Sequence, residues 1–454
     1  MTNILIWQWL LLIASSLFLF FISPKAKDQK SFFTGTSDTD KKPGFLMLTF
    51  SLSISWIFAK SIANAANLGL SFGIVGGLSY AMYYFSFLVA GVIIYQMRKE
   101  GNFKSIHDFL QIRFGRPAII FFSLLIGVRL LNEVWSNTAV IGSYFGENGS
   151  AQYFSAVIVF TGLTLAYALR GGLRSSLVTD MVQMAMFGVL LFIVLGIIIP
   201  KSPSLGSYFT SGEWSMAGGL NLFFVALIQI FSYPFHDPVM TDRGFIADEK
   251  TTLRSFIAAT VIGFFAIFLF SFLGIYGRQI GVVGEAAVQV SQTIGVFMML
   301  LINFLMVTSA ASTLDSTFSA MSKLFVVDIG LMKNVTLSKG RLAMVIVTIA
   351  GSLPLLFSPE IISATTVSGT MALGLAPIFI FWRLQAPRLS FYLSLGAGLV
   401  AGLALLFNLV PETWLFTSGK YADLFAVSIY GSIASFALYL LPYWLRSRLP
   451  APLN

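Results

Sequence analysis

The chain has 454 residues, of which 57% are hydrophobic and 10% charged, with a formal net charge of +9. A water-soluble domain carries roughly 25% charged residues, so the composition excludes that class and predicts an all-α polytopic membrane protein. With no cysteine and two histidines, disulfides, thiolate metal sites and a multi-histidine metal cluster are excluded. The basic residues are scattered between apolar spans, which points to membrane topology and not to a nucleic-acid partner.

A crossing of the bilayer needs roughly 20 apolar residues. Candidate spans fall at 3–23, 46–73, 76–97, 118–144, 151–169, 175–200, 217–240, 252–276, 286–327, 340–358, 361–382, 389–410 and 424–445, which makes about 13 transmembrane helices. The stretch 286–327 is too long for one crossing and is expected to hold a surface or re-entrant helix before a true span near 299–327. The first span has no basic residue ahead of its apolar run, the reverse of a secretory signal, and is expected to be retained. Lys104–Arg116 reads as a short amphipathic segment on the membrane surface.

Most of the basic residues sit in alternate loops: Lys25–Lys42, Arg98–Arg116, Arg170–Arg174, Arg243–Arg254, Lys333–Arg341, Arg383–Arg388 and Arg446–Arg448. The other loops carry only Lys201, Arg278 and Lys420. By the positive-inside rule the first set is cytoplasmic. The N-terminus is then outside, the C-terminus inside, and the protein lies in the cell membrane. Lys60, Arg129 and Lys323 fall within or near spans.

Three spans are chemically unusual. The second, from Ser55 to Gly69, carries Lys60, Asn64 and Asn67 among small residues. The seventh reads Ser232-Tyr-Pro-Phe-His-Asp-Pro238, and its prolines free backbone carbonyls. Irregular backbone at membrane depth is tolerated only where protein covers it or a cavity adjoins it. Two broken helices five spans apart suit a transporter built from two inverted repeats with a midplane site. The ninth carries Thr308, Ser309, Ser312, Thr313, Asp315, Ser316, Thr317 and Ser319. Positions 309, 312, 313 and 316 share one helical face and offer hard oxygen ligands to a small cation. Helix–helix packing is the other reading of such hydroxyls; Asp315 favours the ion.

Four segments together resemble the sodium:solute symporter family. Phe109-Leu-Gln-Ile-Arg-Phe-Gly115 is similar to its RFG segment. Gly171-Gly-Leu-Arg-Ser-Ser-Leu-Val-Thr-Asp-Met-Val-Gln183 is similar to its GGL…TDxxQ stretch. His236-Asp-Pro-Val-Met-Thr-Asp-Arg243 resembles its PH…R segment, and Ser312-Thr313 with Asp328 resembles its ion-binding helix. The resemblance implies a LeuT-like 5+5 inverted-repeat core over 45–385, with discontinuous first and sixth core helices. An extra helix and loop would precede it at 1–44, and two further helices would follow at 386–454.

The same resemblance implies sodium-coupled symport of a small polar organic solute by alternating access. A first sodium site would use the carbonyls of Ala59, Ile62 and Ser309 with the hydroxyls of Ser312 and Thr313, and Gly69 matches the glycine after the family's break. A second cation site would fall on Asp180, Ser312, Asp315 and Ser316. Asp315 departs from the family pattern, where a hydroxyl is usual, and the acid pair suits a second sodium or a proton. Lys60 is another departure: its ammonium would either replace sodium or form an internal ion pair.

Candidate substrate residues are Ser61, Ala63, Asn64, Ala66 and Asn67 at the first break, with Arg129, Asn132, Tyr233, His236 and Asp237. Arg129 either meets a substrate carboxylate or pairs with Glu133 one turn away. His236 is equally a buried, satisfied histidine or a cap on the broken span. The alternatives are proton coupling in the same fold, or a transporter-like sensor or channel. Enzyme motifs are absent, and no cofactor beyond the coupling ion and no obligate protein partner is expected.

Overall fold

The computed structural model describes residues 2–37, 40–331, 334–357 and 368–448. Lys333, position 358 of the tenth span and positions 361–367 of the eleventh lie outside the described residues. Among the described residues there is no β-strand, and ten helices are long and apolar enough to cross a membrane. Three shorter apolar helices accompany them: Phe45–Trp56, Met216–Gln229 and Ser368–Ile380.

In chain order the helices are α1 (Thr2–Ile22), α2 (Gln29–Thr34), α3 (Phe45–Trp56), α4 (Ala59–Ala81), α5 (Ser86–Lys99), α6 (Ile106–Phe114), α7 (Arg116–Ser143), α8 (Ala151–Gly171), α9 (Leu173–Ile198) and α10 (Gly206–Phe209). There follow α11 (Asn221–Gln229), α12 (Pro238–Arg243), α13 (Glu249–Gln279), α14 (Ala286–Ile294), α15 (Val296–Lys323), α16 (Leu337–Ser352), α17 (Leu375–Ile380), α18 (Arg388–Leu406) and α19 (Ala422–Arg448). The predicted 286–327 span is two helices, with the turn at Gly295 separating α14 from α15.

Local chemistry explains many of the boundaries. Asp28, Ser105, Ser150 and Asp248 each accept a backbone N–H at the start of α2, α6, α8 and α13, satisfying donors that a helix end leaves free. The amphipathic segment predicted after Lys104 forms α6, which buries Phe109 and Leu110 and exposes Ile112. Within α4, Gly73 has φ +61° and bends the chain, so 59–99 is not one straight rod.

α15 lies at the centre: from Leu301 to Ser322 every residue but Phe304 is buried. It packs against α9, α7 and α8, and α3 packs against α9 and α13. α4 runs against α13 at very close range. A Cβ on Gly274 would overlap the Ala66 carbonyl, and one on Gly69 would overlap the Ser271 carbonyl. Gly69 is therefore a packing residue that brings two backbones together.

Candidate functional site

The first irregularity lies between α3 and α4. Ile57 and Phe58 leave the helical region, with ψ of 66° and 148°. The carbonyls this releases find partners on other helices. Tyr84 donates its hydroxyl to the Trp56 carbonyl at 2.7 Å, and Ser309 of α15 donates to the Ile57 carbonyl. The break thus precedes Ala59 and Ile62, which fall in the first turn of α4. Thr313 turns back to donate to the Ser309 carbonyl at 3.1 Å. Ser309, Thr313 and the break are brought together; Ser312 points instead to Asp180, donating to its Oδ1 at 2.5 Å.

The second irregularity follows α11. The chain makes a short turn at Tyr233–His236 before Asp237, in extended conformation, caps α12 by accepting the Val239 N–H at 2.9 Å. Asp237 also ties the two breaks together, accepting the indole N–H of Trp56 at 2.9 Å. His236 spends Nδ1 on the Tyr233 carbonyl, while its buried Nε2 has no partner among the described residues.

Two buried ionic clusters flank these breaks. In the first, Lys60 donates to Glu133 at 2.6 Å, and Arg129 is paired with Glu133 and lies 3.5 Å from Asp237. All four side chains are at most 2% exposed, and the cluster holds two cations and two anions. Lys60 therefore takes the ion-pair alternative, and Arg129 the pair with Glu133.

The second cluster joins α3, α9, α12 and α15. The Arg243 guanidinium donates from Nη2 to Asp180 at 3.1 Å and to Ser316 at 2.8 Å, and from Nε to Ser51 at 2.7 Å. Ser55 and Ser176 lie 3.1 and 3.2 Å from Nη2. Asp315 accepts from Thr179 at 2.9 Å and from Ser316 at 3.3 Å, with no basic partner at ion-pair distance among the described residues. Asp180, Ser312, Asp315 and Ser316 are thus gathered at one place, with Arg243 among them. Sequence reasoning left Arg243 in a loop; its place at the end of the proline-broken segment was the available signal.

Below this cluster, Lys323 bridges Asp242 at 2.7 Å and Asp328 at 3.3 Å. His107 of α6 approaches Asp328. Burial, and then the nearby Lys323 charge, push the His107 imidazole down to about 4.

Beside the breaks is a cavity whose wall includes Trp56, Phe58, Tyr80, Tyr83 and Tyr233, with Ser61 and Asn64. Of the predicted substrate residues, the structure brings Ser61, Asn64 and Tyr233 to it. Arg129 stands behind, 5.6 Å from the ring centres of both Phe58 and Tyr233. Asn67 is engaged elsewhere, donating to Glu285 at 2.6 Å. Asn132 accepts from Trp135 at 3.1 Å, and Ala66 faces α13. Ala63 is half-buried on α4 outside the cavity wall. The rest of the wall joins Leu68, Tyr80, Tyr83 and Tyr84 to Leu222 and Tyr421 from distant parts of the sequence. Only the Tyr80/Tyr83 spacing gave any local sign of them.

Most of the chain superposes on solved transporters. A Na+-coupled sialic acid symporter in a substrate-bound outward-open state matches with a TM-score of 0.71 at 14% identity, over 97% of each chain. The fold is that of the LeuT-like symporters. A second structure with this LeuT-like fold is Mhp1, a nucleobase-cation-symport-1 family transporter, in a closed conformation with bromovinylhydantoin bound. It matches with a TM-score of 0.60 at 15% identity, over 94% of this chain and 96% of that one. MhsT in complex with L-phenylalanine matches with a TM-score of 0.56 at 15% identity, over 87% and 97%. No family model and no curated protein sequence matches the chain.

Proposed function

We propose that this protein is a secondary active transporter that couples the inward movement of a small organic solute to sodium by alternating access. The observation that carries the reading is the meeting of two helix breaks through Trp56 and Asp237 beside the cavity, with the Ser309 hydroxyl at the carbonyl of the first break. Broken helices concentrate unpaired backbone dipoles where an ion and a solute can share them. Residues 45–385 would form the ten-helix core of two inverted repeats, with α3–α4 and α11–α12 as its discontinuous helices. The N-terminus would be outside and the C-terminus cytoplasmic.

The first sodium would sit between the break and the oxygens of Ser309 and Thr313, while Ser312, expected there, is turned to Asp180 at the second site. Its carbonyl partners would be Ile57 and its neighbours, with Ala59 and Ile62 in the first turn of α4 that follows. At the second site, charge counting favours one monovalent cation or proton. Arg243 balances one of two buried carboxylates, and an unbalanced buried charge is costly, so Asp315 would take sodium or a proton. Proton coupling through Asp315 is therefore the second reading.

A sodium titration of thermal stability tests the first site. Sodium, and not potassium or choline, should stabilise the protein saturably, and Ser309→Ala or Thr313→Ala should shift the midpoint upward. An unchanged midpoint in both variants contradicts the site.

A further inference from the structure

We infer that the solute is an uncharged, planar ring carrying an amide-like edge, an inference that rests on the proposed transport reading and deepens it. Three features of the cavity point there.

The first is the absence of a fixed charge. No Asp, Glu, Lys, Arg or His side chain lies in the wall among the described residues. The nearest ionic groups, Lys60, Arg129, Glu133 and Asp237, are committed to one another. A carboxylate or zwitterion entering the cavity would lose water without gaining a protein counter-ion from the wall, and an uncompensated buried charge is heavily disfavoured.

The second is the state of the aromatic walls. Trp56, Phe58, Tyr80, Tyr83 and Tyr233 offer flat faces, which could hold either a cation or a neutral ring. Yet Phe58 already has Lys60 5.1 Å and Arg129 5.6 Å from its centre, and Tyr233 has Arg129 at 5.6 Å. The attraction those rings exert on positive charge is already engaged, and a further cation would meet two like charges behind them. A neutral ring meets no such opposition and stacks.

The third is the hydrogen-bonding residue of the wall. Trp56 gives its N–H to Asp237, Tyr84 its hydroxyl to the Trp56 carbonyl, and Tyr83 its hydroxyl to Gln229. A chain runs from the Asn64 amide to the Tyr80 oxygen at 3.3 Å, and from the Tyr80 hydroxyl to Ser61 at 3.2 Å. It leaves the Ser61 O–H and the Asn64 Oδ1, together with the hydroxyls of Tyr233 and Tyr421, as the wall's remaining hydrogen-bonding groups. Ser61 and Asn64, three residues apart on one face of α4, offer a hydroxyl donor and an amide-oxygen acceptor that suit the N–H and C=O of an amide-like edge. Set in a mainly aromatic wall, these few groups suit such an edge better than the many hydroxyls of a sugar or polyol, each of which would need a partner.

The test is calorimetric titration of the purified full chain in lipid nanodiscs, in sodium. The probes are nicotinamide and uracil as neutral planar amides, choline as a cation, L-phenylalanine as a zwitterion, N-acetylneuraminic acid as an anion and glucose as a polyol. Saturable binding of nicotinamide or uracil is expected, at least tenfold tighter than any other probe. Ser61→Ala and Asn64→Leu should each weaken it tenfold or more while the sodium-dependent thermal shift persists, which marks a folded protein. Tighter binding of a charged probe or of glucose, no binding of either neutral ring at millimolar concentration, or undiminished affinity in both folded variants overturns the inference. Binding of the neutral ring without gradient-driven uptake into proteoliposomes would leave the solute class standing and sink the transport reading. Driven uptake of a charged solute instead would do the reverse.

Discussion

The Arg243 guanidinium lies 3.1 Å from the Asp180 carboxylate, with both side chains at most 1% exposed and the hydroxyls of Ser51 and Ser316 among its other partners. This contact ties α12, the segment after the second break, to α9 and α15. Motion of α12 would therefore be felt at Asp315.

Removing one partner of a buried pair typically costs about 3–5 kcal/mol, because the other charge is left uncompensated. Arg243→Gln should destabilise the protein by that order, with two carboxylates then facing each other. The loss should be smallest at low pH or high sodium, where a proton or ion replaces the guanidinium. Arg243→Gln/Asp180→Asn should recover much of the stability. Thermal melts of the three variants across pH and sodium concentration check this; equal losses under all conditions would separate Arg243 from the ion site.

Asp315→Ser leaves one acid and one base in the cluster. It should preserve sodium binding at the first site and remove one ion or proton from each transport cycle. Asp180→Asn should be more damaging, since it orphans Arg243. Ion-to-solute stoichiometry, measured from reversal potentials, gives the comparison. An unchanged stoichiometry and an unchanged pH profile in both variants would assign the pair a structural role.

In the other cluster, Glu133 holds both Lys60 and Arg129. Glu133→Gln leaves two cations against Asp237 alone and should cost about 3–5 kcal/mol. Chemical denaturation in detergent reads this. A loss under about 1 kcal/mol would place the pair in an effectively solvated setting.

His107 gives a pH dependence whose sign is fixed. Its folded value is depressed to about 4 from 6.5, so between those values the unfolded chain binds the extra proton. Its contribution is present above about 6.5 and is lost as pH falls toward 4. His107→Gln should flatten the decline of thermal stability over that window. A decline as steep as that of the wild type would locate the acid sensitivity elsewhere.

Much of this was legible in the sequence because membrane depth makes polarity expensive. The hydroxyl face of α15, the proline-broken segment at Ser232–Pro238 and the acids Asp180 and Asp315 stand out against an apolar background. The long-range partners did not stand out. Arg243 reads as a loop cation because it follows a predicted span by only a few residues, and only the turn after Asp237 carries it inward. Asn67 and Asn132 look like cavity residues by position, yet helix rotation gives them to Glu285 and Trp135. The break was predicted at Ala59 and Ile62, and the chain leaves the helix earlier, at Ile57, because Ser309 is placed to take that carbonyl.

The most direct test of the account is uptake of a radiolabelled solute, identified by binding, into proteoliposomes containing this protein alone. An inward sodium gradient should drive saturable accumulation above equilibrium, and dissipating that gradient should abolish it. Ser309→Ala should raise the sodium concentration for half-maximal uptake about tenfold, as expected for roughly 1–2 kcal/mol from one lost oxygen partner. Equilibration without accumulation, under sodium and proton gradients alike, would contradict coupled transport.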